Sequence, residues 1–555
     1  MDFRNSKVIV LDSSSDFVRV IYGLDELLKP PSSEVLARVG KRLQPDPATS
    51  QDEYDQASTS TTPAPGSKPP AVVYLIGSDL EKAEAAGEEL EIIWPFRDGW
   101  TDWKSIEALW KYALYQSGPY HRRTNESPII VTHPSLFSNN QIHLLTQVLF
   151  ERLNVPAISL LPRPVGALFA GNATTGVVVD IGLEETSITP VVDSTVCPNG
   201  CLETSLGVRH CELWMASLLT KEEQLIKTLQ SPSPSSLEEP ESSPKEQPAS
   251  PSDTTAPSTT APGESEASKE INAAPTTPPT PPLPPVSDED LHDTLIRLSE
   301  HMWKNNLIRP VLAGGEPYSA EQEEEGVTDI AAALVAGREK ALIEARAAKS
   351  HKSAAKKEEE AKKRAAQAAA AAQATGDQRD ADVTMVEFEG RELWIGHVRQ
   401  RFCEPLFEPS LLQGIKGLEG LNGGRPDELV GVQELVQMGI ACVNGPEKVL
   451  CWEGVSVVGE MARVKTFPVT LLSHLMQYIL TDPESISEVQ PKNTRFLRIP
   501  KYFPEYVEEG GWSAPFLGAS IVGKLVYADL TGKYFTTKVD YNRHGPARMT
   551  SAPDL

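Results

Sequence analysis

The sequence predicts an α/β protein of two lobes, interrupted by large polar insertions, and three observations carry that prediction. Two short apolar strands, Val8–Leu11 and Val177–Val179, each run into an aspartate at a tight turn, Asp12 and Asp180. Strand-like and helix-like patterns alternate between these two units, which argues for α/β layers with both turns on the same side of a sheet. Stretches 43–70, 229–287 and 314–383 are polar or low in complexity, which leaves roughly 400 of the 555 residues able to pack.

Taken in order, the chain opens with the strand ending at Asp12, the turn Ser13-Ser14-Ser15-Asp16 and a second strand Phe17–Gly23, followed by polar chain to residue 42. Stretch 43–70 has too few apolar residues to offset its ordering entropy and is expected to be a flexible insertion. Val72–Gly77 resumes as a strand, and Trp103, Ile106, Leu109, Trp110 and Leu114 recur at helical spacing. Pro128–Thr132 reads as a short buried strand, and Leu144, Leu145, Val148, Leu149 and Leu153 mark the next helix. The second strand-turn unit follows at 177–182. Stretch 229–287 is dominated by Pro, Ser, Thr and Glu and offers no core. A helix from Asp288 to Asn305 then places Leu291, Leu295, Leu298 and Met302 on one face, so it is expected to return to the folded body. Residues 327–373 read as an Ala/Lys/Glu/Arg-rich helix with few apolar anchors. Its stretch Arg338 to Arg364 is locally basic and reads first as a solvated helix, and second as a nuclear-import or DNA-touching segment.

The formal net charge of −25 and pI near 4.9 argue against a dedicated nucleic-acid binder, whose affinity comes mainly from neutralising phosphates. The six cysteines are too few and too scattered for a disulfide framework in a chain of this length, which favours a reducing compartment. Cys197 and Cys201 could form half of a zinc site but have no second Cys/His pair at ligand spacing nearby, so no metal site is expected and the pair reads as plain thiols. With no secretory signal pattern and no apolar run of about 18 residues, a soluble intracellular protein without membrane contact is expected.

The two turns have the outline of phosphate cradles. Such turns hold anions when glycines let successive N–H groups close on the phosphate and aspartates reach a hydrated metal. Here Asp16, Leu183, Glu184 and Glu185 stand where bare backbone would serve, and the carboxylates among them repel a triphosphate.

Four segments then carry a resemblance. They are Trp94-Pro95-Phe96-Arg97-Asp98-Gly99 with Trp103 and Trp110; Pro156-Ala157 through Leu168 to Gly176; Arg401-Phe402-Cys403-Glu404-Pro405-Leu406-Phe407-Glu408-Pro409; and Phe516–Ile521 followed by Tyr541-Asn542-Arg543-His544-Gly545-Pro546. In this order and spacing they resemble the actin superfamily. With the tract Val457–Pro468 the chain looks most like its fungal nuclear actin-related proteins of the ninth type, found in SWI/SNF and RSC chromatin remodellers. The resemblance implies the actin-like (actin/Hsp70/sugar-kinase) fold. The first lobe would span 1–176, and the second would begin at 177–228, return through the helix at 288–313 and continue over 384–510. A closing helix and tail over 511–555 would lead back to the first lobe.

The resemblance also implies a nucleotide cleft at Asp12, Ser14, Ser15, Arg19, Arg163, Asp180, Gly182, Gly459 and Glu460, and this sequence departs from its pattern. Arg163, between Pro162 and Pro164, takes the place of the glutamine that orients the attacking water; it cannot accept a proton, and the paired prolines are expected to disturb the helix start. Gly459-Glu460 puts a carboxylate where consecutive glycines would approach the adenine and phosphates. Asp12 and Asp180 could still hold a metal and Arg19 could meet a phosphate, with plain turn-forming or helix-capping as the favoured competing reading of the aspartates. No catalytic residue and no cofactor are expected, beyond weak or vestigial ATP and magnesium binding. The family's partner groove maps to Phe169, Thr174, Ile521, Val522, Leu525 and Tyr527, a helix-in-groove site with ordinary core packing as the competing reading. The implied role is a nuclear, non-catalytic scaffold that pairs with a second actin-related protein, clasps a helix of a remodeller's motor ATPase and meets the nucleosome indirectly. The rival readings are a slowly hydrolysing ATP-binding protein, a cytoskeletal filament-associated protein, and direct DNA contact through Arg338–Arg364.

Overall fold

The computed structural model describes residues 7–24, 30–43, 72–97, 99–119, 122–123, 125–230, 287, 290–313, 383–421, 428–479, 494–529 and 531–550. The sequence-based expectations for 44–70, 231–286 and 314–382, including the basic stretch Arg338–Arg364, lie outside these residues.

The first lobe is built on a six-stranded sheet. Its strands β1 (Ile9–Ser13) and β2 (Phe17–Tyr22) form a hairpin. After β2, where polar chain was expected, two more strands follow, β3 (Ser33–Leu36) and β4 (Val39–Leu43). Val35, Ala37 and Val39 are buried, and this period-two alternation is the signal that the polar residues between them obscured. Strands β4, β5 (Val72–Leu75) and β6 (Glu91–Ile93) make a small separate sheet, with helix α1 (Ser78–Ala85) between β5 and β6 in the chain and its Leu80 against Gly40 of β4.

Helix α2 (Trp103–Lys111) starts at Asp102, whose carboxylate accepts the Lys104 and Ser105 N–H groups. It buries Ile106, Leu109 and Trp110 against the large sheet. Strand β7 (Ile129–His133) lies parallel to β1, helix α3 (Asn139–Gln147) begins at the Ser138–Gln141 capping box, and β8 (Ala157–Pro162) lies parallel to β7. Continuous apolar runs form β1 and β7 because both faces of a central parallel sheet are covered.

Helix α4 (Arg163–Ala170) leads out of this lobe. The prolines beside Arg163 do not disturb it. Pro162 ends the strand as the N-cap residue and Pro164 lies in the first turn, where no backbone N–H needs a helical partner.

The second lobe has its own sheet, of β9 (Gly176–Ile181), β10 (Thr186–Val192), β11 (Thr195–Val196), β12 (Leu202–Thr204) and a later strand, Val455–Gly459, parallel to β9. The two aspartate turns therefore belong to different sheets. Helices α5 (Val208–Leu219) and α6 (Glu223–Gln230) follow; α6 buries Leu225 and Leu229, so ordered chain runs through position 229, where the insertion was expected to begin. Helix α7 (Leu291–Lys304) returns to pack on α5, with Leu295, Leu298 and Met302 fully buried and the Trp303 Nε1 donating to Glu212 at 2.8 Å. A hairpin, Thr384–Phe388 and Arg391–Ile395, lies over α6 and α7.

The closing helix Ala514–Ala528 crosses α4 at the base between the lobes. There Gly166 and Gly518 let the two backbones touch: a Cβ on Gly518 would stand 1.7 Å from the Gly166 carbonyl oxygen. The chain then adds a two-residue strand, Thr536–Thr537, beside β8, and Tyr541 stacks on Phe150 at 4.7 Å in the first lobe. The chain thus passes between the lobes twice, at α4 and at the closing helix. No helix among the described residues is long and apolar enough to cross a membrane.

Candidate functional site

The cleft between the lobes collects the sequence-predicted cluster, and β1 and β9 aim Asp12 and Asp180 into it from opposite sides. Arg163, at the start of α4, reaches both. Its Nη1 donates to Asp180 at 2.6 Å, and its Nε stands 3.4 Å from an Asp12 oxygen. That same Asp12 oxygen accepts the Thr132 hydroxyl at 2.6 Å. A guanidinium therefore occupies the space between the two carboxylates where a divalent cation would have to sit. Burial lowers the proton affinity of Arg163, but Asp180 and Asp12 outweigh it and hold the guanidinium firmly charged. Burial pushes the Asp180 carboxyl upward, and Arg163 opposes that shift.

Arg19 is not presented to a phosphate. It is 1% exposed, its Nε donates to Glu34 at 3.2 Å, and its Nη1 lies 3.7 Å from Asp12 and donates to the Trp512 carbonyl at 3.3 Å. Its guanidinium carbon lies 3.4 Å from the centre of the Trp512 ring, and that of Arg463 lies 3.6 Å from the same point. Two groups so near one centre would overlap on a single face, so the indole is held between two cations. The Trp512 Nε1 donates to Glu460 at 3.0 Å, and Arg463 donates to the other Glu460 oxygen at 2.9 Å. Glu460 is thus committed to internal partners. Gly459 just before it takes φ +80°, and a Cβ there would stand 2.4 Å from the Asp180 carboxylate, so the close backbone approach is made to Asp180.

At the mouth, Arg97 stacks over Trp94 at 3.9 Å and donates to Asp16 at 2.5 Å, with its other nitrogen 3.6 Å from Glu184 of the second lobe. Burial raises the Asp16 carboxyl, against the pull of Arg97. Ser14 closes its own turn, accepting the Phe17 N–H at 3.2 Å. Ser14, Ser15, Asp16, Asp180, Gly182, Gly459 and Glu460 then surround a cavity of about 80 Å³. Small-molecule sites usually span about 300–1,000 Å³, so this space suits a few waters better than a nucleotide.

Sequence reading placed Asp12, Arg163, Asp180, Gly459 and Glu460 in one cleft, and the structure brings them together. It missed Trp512, Arg463 and Glu34 as members; Arg463, three residues after Glu460, has the spacing of a local ion pair that could have signalled it, whereas Trp512 and Glu34 have no local signal. The second expected site divides. Val522 and Tyr527 are 1% and 2% exposed and belong to the core, with the Tyr527 hydroxyl donating to the Ile129 carbonyl at 2.6 Å. Phe169 and Ile521 are half-buried, and Thr174 and Leu525 are exposed, Leu525 at 60%. The Cys201 thiol, pushed up to about 11 by burial, points at the Cys197 carbonyl at 3.4 Å. Among the described residues no three ligating side chains gather as a metal cluster.

Residues 3–271 match the actin family model. The chain is 23% identical to the SWI/SNF and RSC complexes subunit arp9 of Schizosaccharomyces pombe over 608 aligned positions, which cover 99% of each chain. It is 27% identical over 207 residues to the actin-related protein 4 of Oryza sativa subsp. indica, covering 36% of this chain and 45% of that one, with the same figures for the japonica protein.

Proposed function

This chain belongs to the actin family, and on that premise we propose that it is a non-catalytic scaffold subunit of a nuclear ATP-dependent chromatin-remodelling complex. The observation that carries the reading is Arg163 paired with both Asp12 and Asp180. Metal-dependent phosphoryl transfer needs a cation between enzyme and phosphates, together with a residue that positions the attacking water. Here the cation's place is taken by a side chain from the position expected to orient that water. The similarity along the whole chain to a subunit of SWI/SNF and RSC supports the assignment to a remodeller.

Freed from turnover, the two-lobed body offers surfaces. In this reading the accessible part of the groove is half-buried Phe169 and Ile521 with exposed Thr174 and Leu525, while Val522 and Tyr527 belong to the core. The groove receives a helix of the motor ATPase, and a second actin-related protein sits alongside.

Affinity purification of the tagged chain from nuclear extract tests the proposal. A motor ATPase and a second actin-related protein are expected among the co-purifying chains; recovery of neither overturns it. Equilibrium dialysis with labelled ATP and magnesium tests the non-catalytic part separately. Micromolar binding that Asp12→Ala abolishes would make the chain an ATP-binding protein instead.

A further inference from the structure

The hairpin over α6 and α7, β13 (Thr384–Phe388) and β14 (Arg391–Ile395), has one face in the core and one without cover. Val386, Phe388, Leu393 and Ile395 point inward. Arg391 donates to the Leu229 carbonyl of α6, and the Phe388 ring meets His301 of α7 at 5.6 Å. Strand alternation sends Met385, Glu387, Glu392 and Trp394 to the other face. The register sets Met385 opposite Trp394 and Glu387 opposite Glu392. Trp394, at 63%, is the most exposed large apolar side chain among the described residues, and Met385 is 47% exposed.

Both pairs are costly in the isolated chain. The Trp–Met pair leaves apolar area in water, and like charges directly opposite on antiparallel strands repel. Among the described residues neither carboxylate has an ion-pair partner; the nearby Arg297 is bound to Glu389 at 2.8 Å. One kind of partner relieves both. A cation placed between the two carboxylates removes the repulsion, while the aliphatic stem of a lysine or arginine, or a neighbouring apolar residue, covers the indole. DNA would add charge of the wrong sign. A second copy laid face to face would bring its own acidic pair without a cation.

We infer that the outward face of this hairpin docks a lysine- or arginine-rich amphipathic segment of another chain. Trp394 and Met385 are the apolar anchor, and Glu387 with Glu392 form the acceptor for its cation. The net charge of −25 draws such segments toward the molecule, and the anchor determines where they settle.

The test uses the full chain and a fluorescein-labelled Leu/Lys amphipathic peptide, with the corresponding Leu/Glu peptide as its opposite. The Leu/Lys peptide is expected to bind and to slow amide hydrogen exchange across 383–395. Trp394→Ser should weaken binding by about tenfold. Glu387→Lys with Glu392→Lys should abolish that binding and create binding of the Leu/Glu peptide. All three side chains face solvent, so the fold is expected to be retained. No binding, binding that survives both changes, or protection confined to other segments overturns the inference. So would peptide affinity that rises when the lysines and arginines of 338–364 become glutamine, since that stretch of the same chain would then be the occupant. Self-association in sedimentation that Trp394→Ser removes would make the occupant a second copy and also overturn it.

Discussion

Arg163 donates to Asp180 at 2.6 Å from the first residue of α4, so the helix that joins the lobes also neutralises the second lobe's turn. In a ligand-dependent clamp the two turns would be drawn together by something bound between them. Here the covalent hinge carries the counter-charge, and Arg97 adds another link between the turns at the mouth of the cleft.

Replacing Arg163 with glutamine should leave Asp12 and Asp180 facing each other without a cation. Breaking a buried pair from one side costs about 3–5 kcal/mol, and partial exposure of Asp180 points to the lower end of that range. Urea denaturation should report the loss. Magnesium should then raise the melting temperature of the variant and leave that of the parent chain unchanged; an equal response in both would mean that Arg163 does not hold the metal position.

The Trp512 side chain serves two arginines and one glutamate at once. Trp512→Ala should destabilise by about 3–5 kcal/mol, from lost packing together with uncovered charge. Trp512→Phe retains a ring between the guanidinium groups and loses the bond to Glu460, so about 1–2 kcal/mol is expected. Similar losses for both variants, measured by denaturant titration, would remove the stacking from the account.

Gly518→Ala adds a single methyl group, 1.7 Å from the Gly166 carbonyl oxygen on the facing helix. Backbone cannot swing aside as a flexible side chain can, so a loss of about 3 kcal/mol, the upper end for overpacking, is expected. Hydrogen exchange should quicken in both α4 and the closing helix, because either must move to admit the methyl. An unchanged exchange pattern would show that the crossing has slack.

Two buried histidines predict an acid-sensitive fold. Burial holds His133 and His210 down at about 4, against 6.5 for the free group. The unfolded chain therefore takes up these protons first. Their contribution is complete above pH 6.5 and is lost as pH falls toward 4, to the extent of about 3 kcal/mol each. His210 Nδ1 accepts the Gly207 N–H at 3.1 Å, which the protonated ring cannot do. His210→Gln supplies another acceptor without the titration, so its stability should fall less steeply than the parent's between pH 6.5 and 4.

Much of the body is legible in the sequence because its signals are local. The apolar runs at Val8–Leu11 and Ile129–Val131 read as buried strands, and Leu295, Leu298 and Met302 read as one helix face. Local reading failed where two rules conflicted. Strands β3 and β4 were hidden because their polar residues alternate with Val35, Ala37 and Val39. The prolines beside Arg163 suggest a disturbance from sequence because a breaker inside a helix and a starter at its first turn are the same residue type.

The sequence by itself determined that the two aspartate turns had lost most of their glycines, that an arginine stood at the hinge, and that an acidic chain of this pattern resembled actin. Each of these is a property of neighbouring residues. Only the tertiary structure decided what the retained charges do. Arg19 and Trp512 meet across 493 positions, and Arg163 finds Asp12 and Asp180 because two separate sheets converge on one helix. Whether a carboxylate repels a phosphate or clasps an internal guanidinium depends on which cation is within a few ångströms once water is excluded, and sequence spacing does not encode that distance.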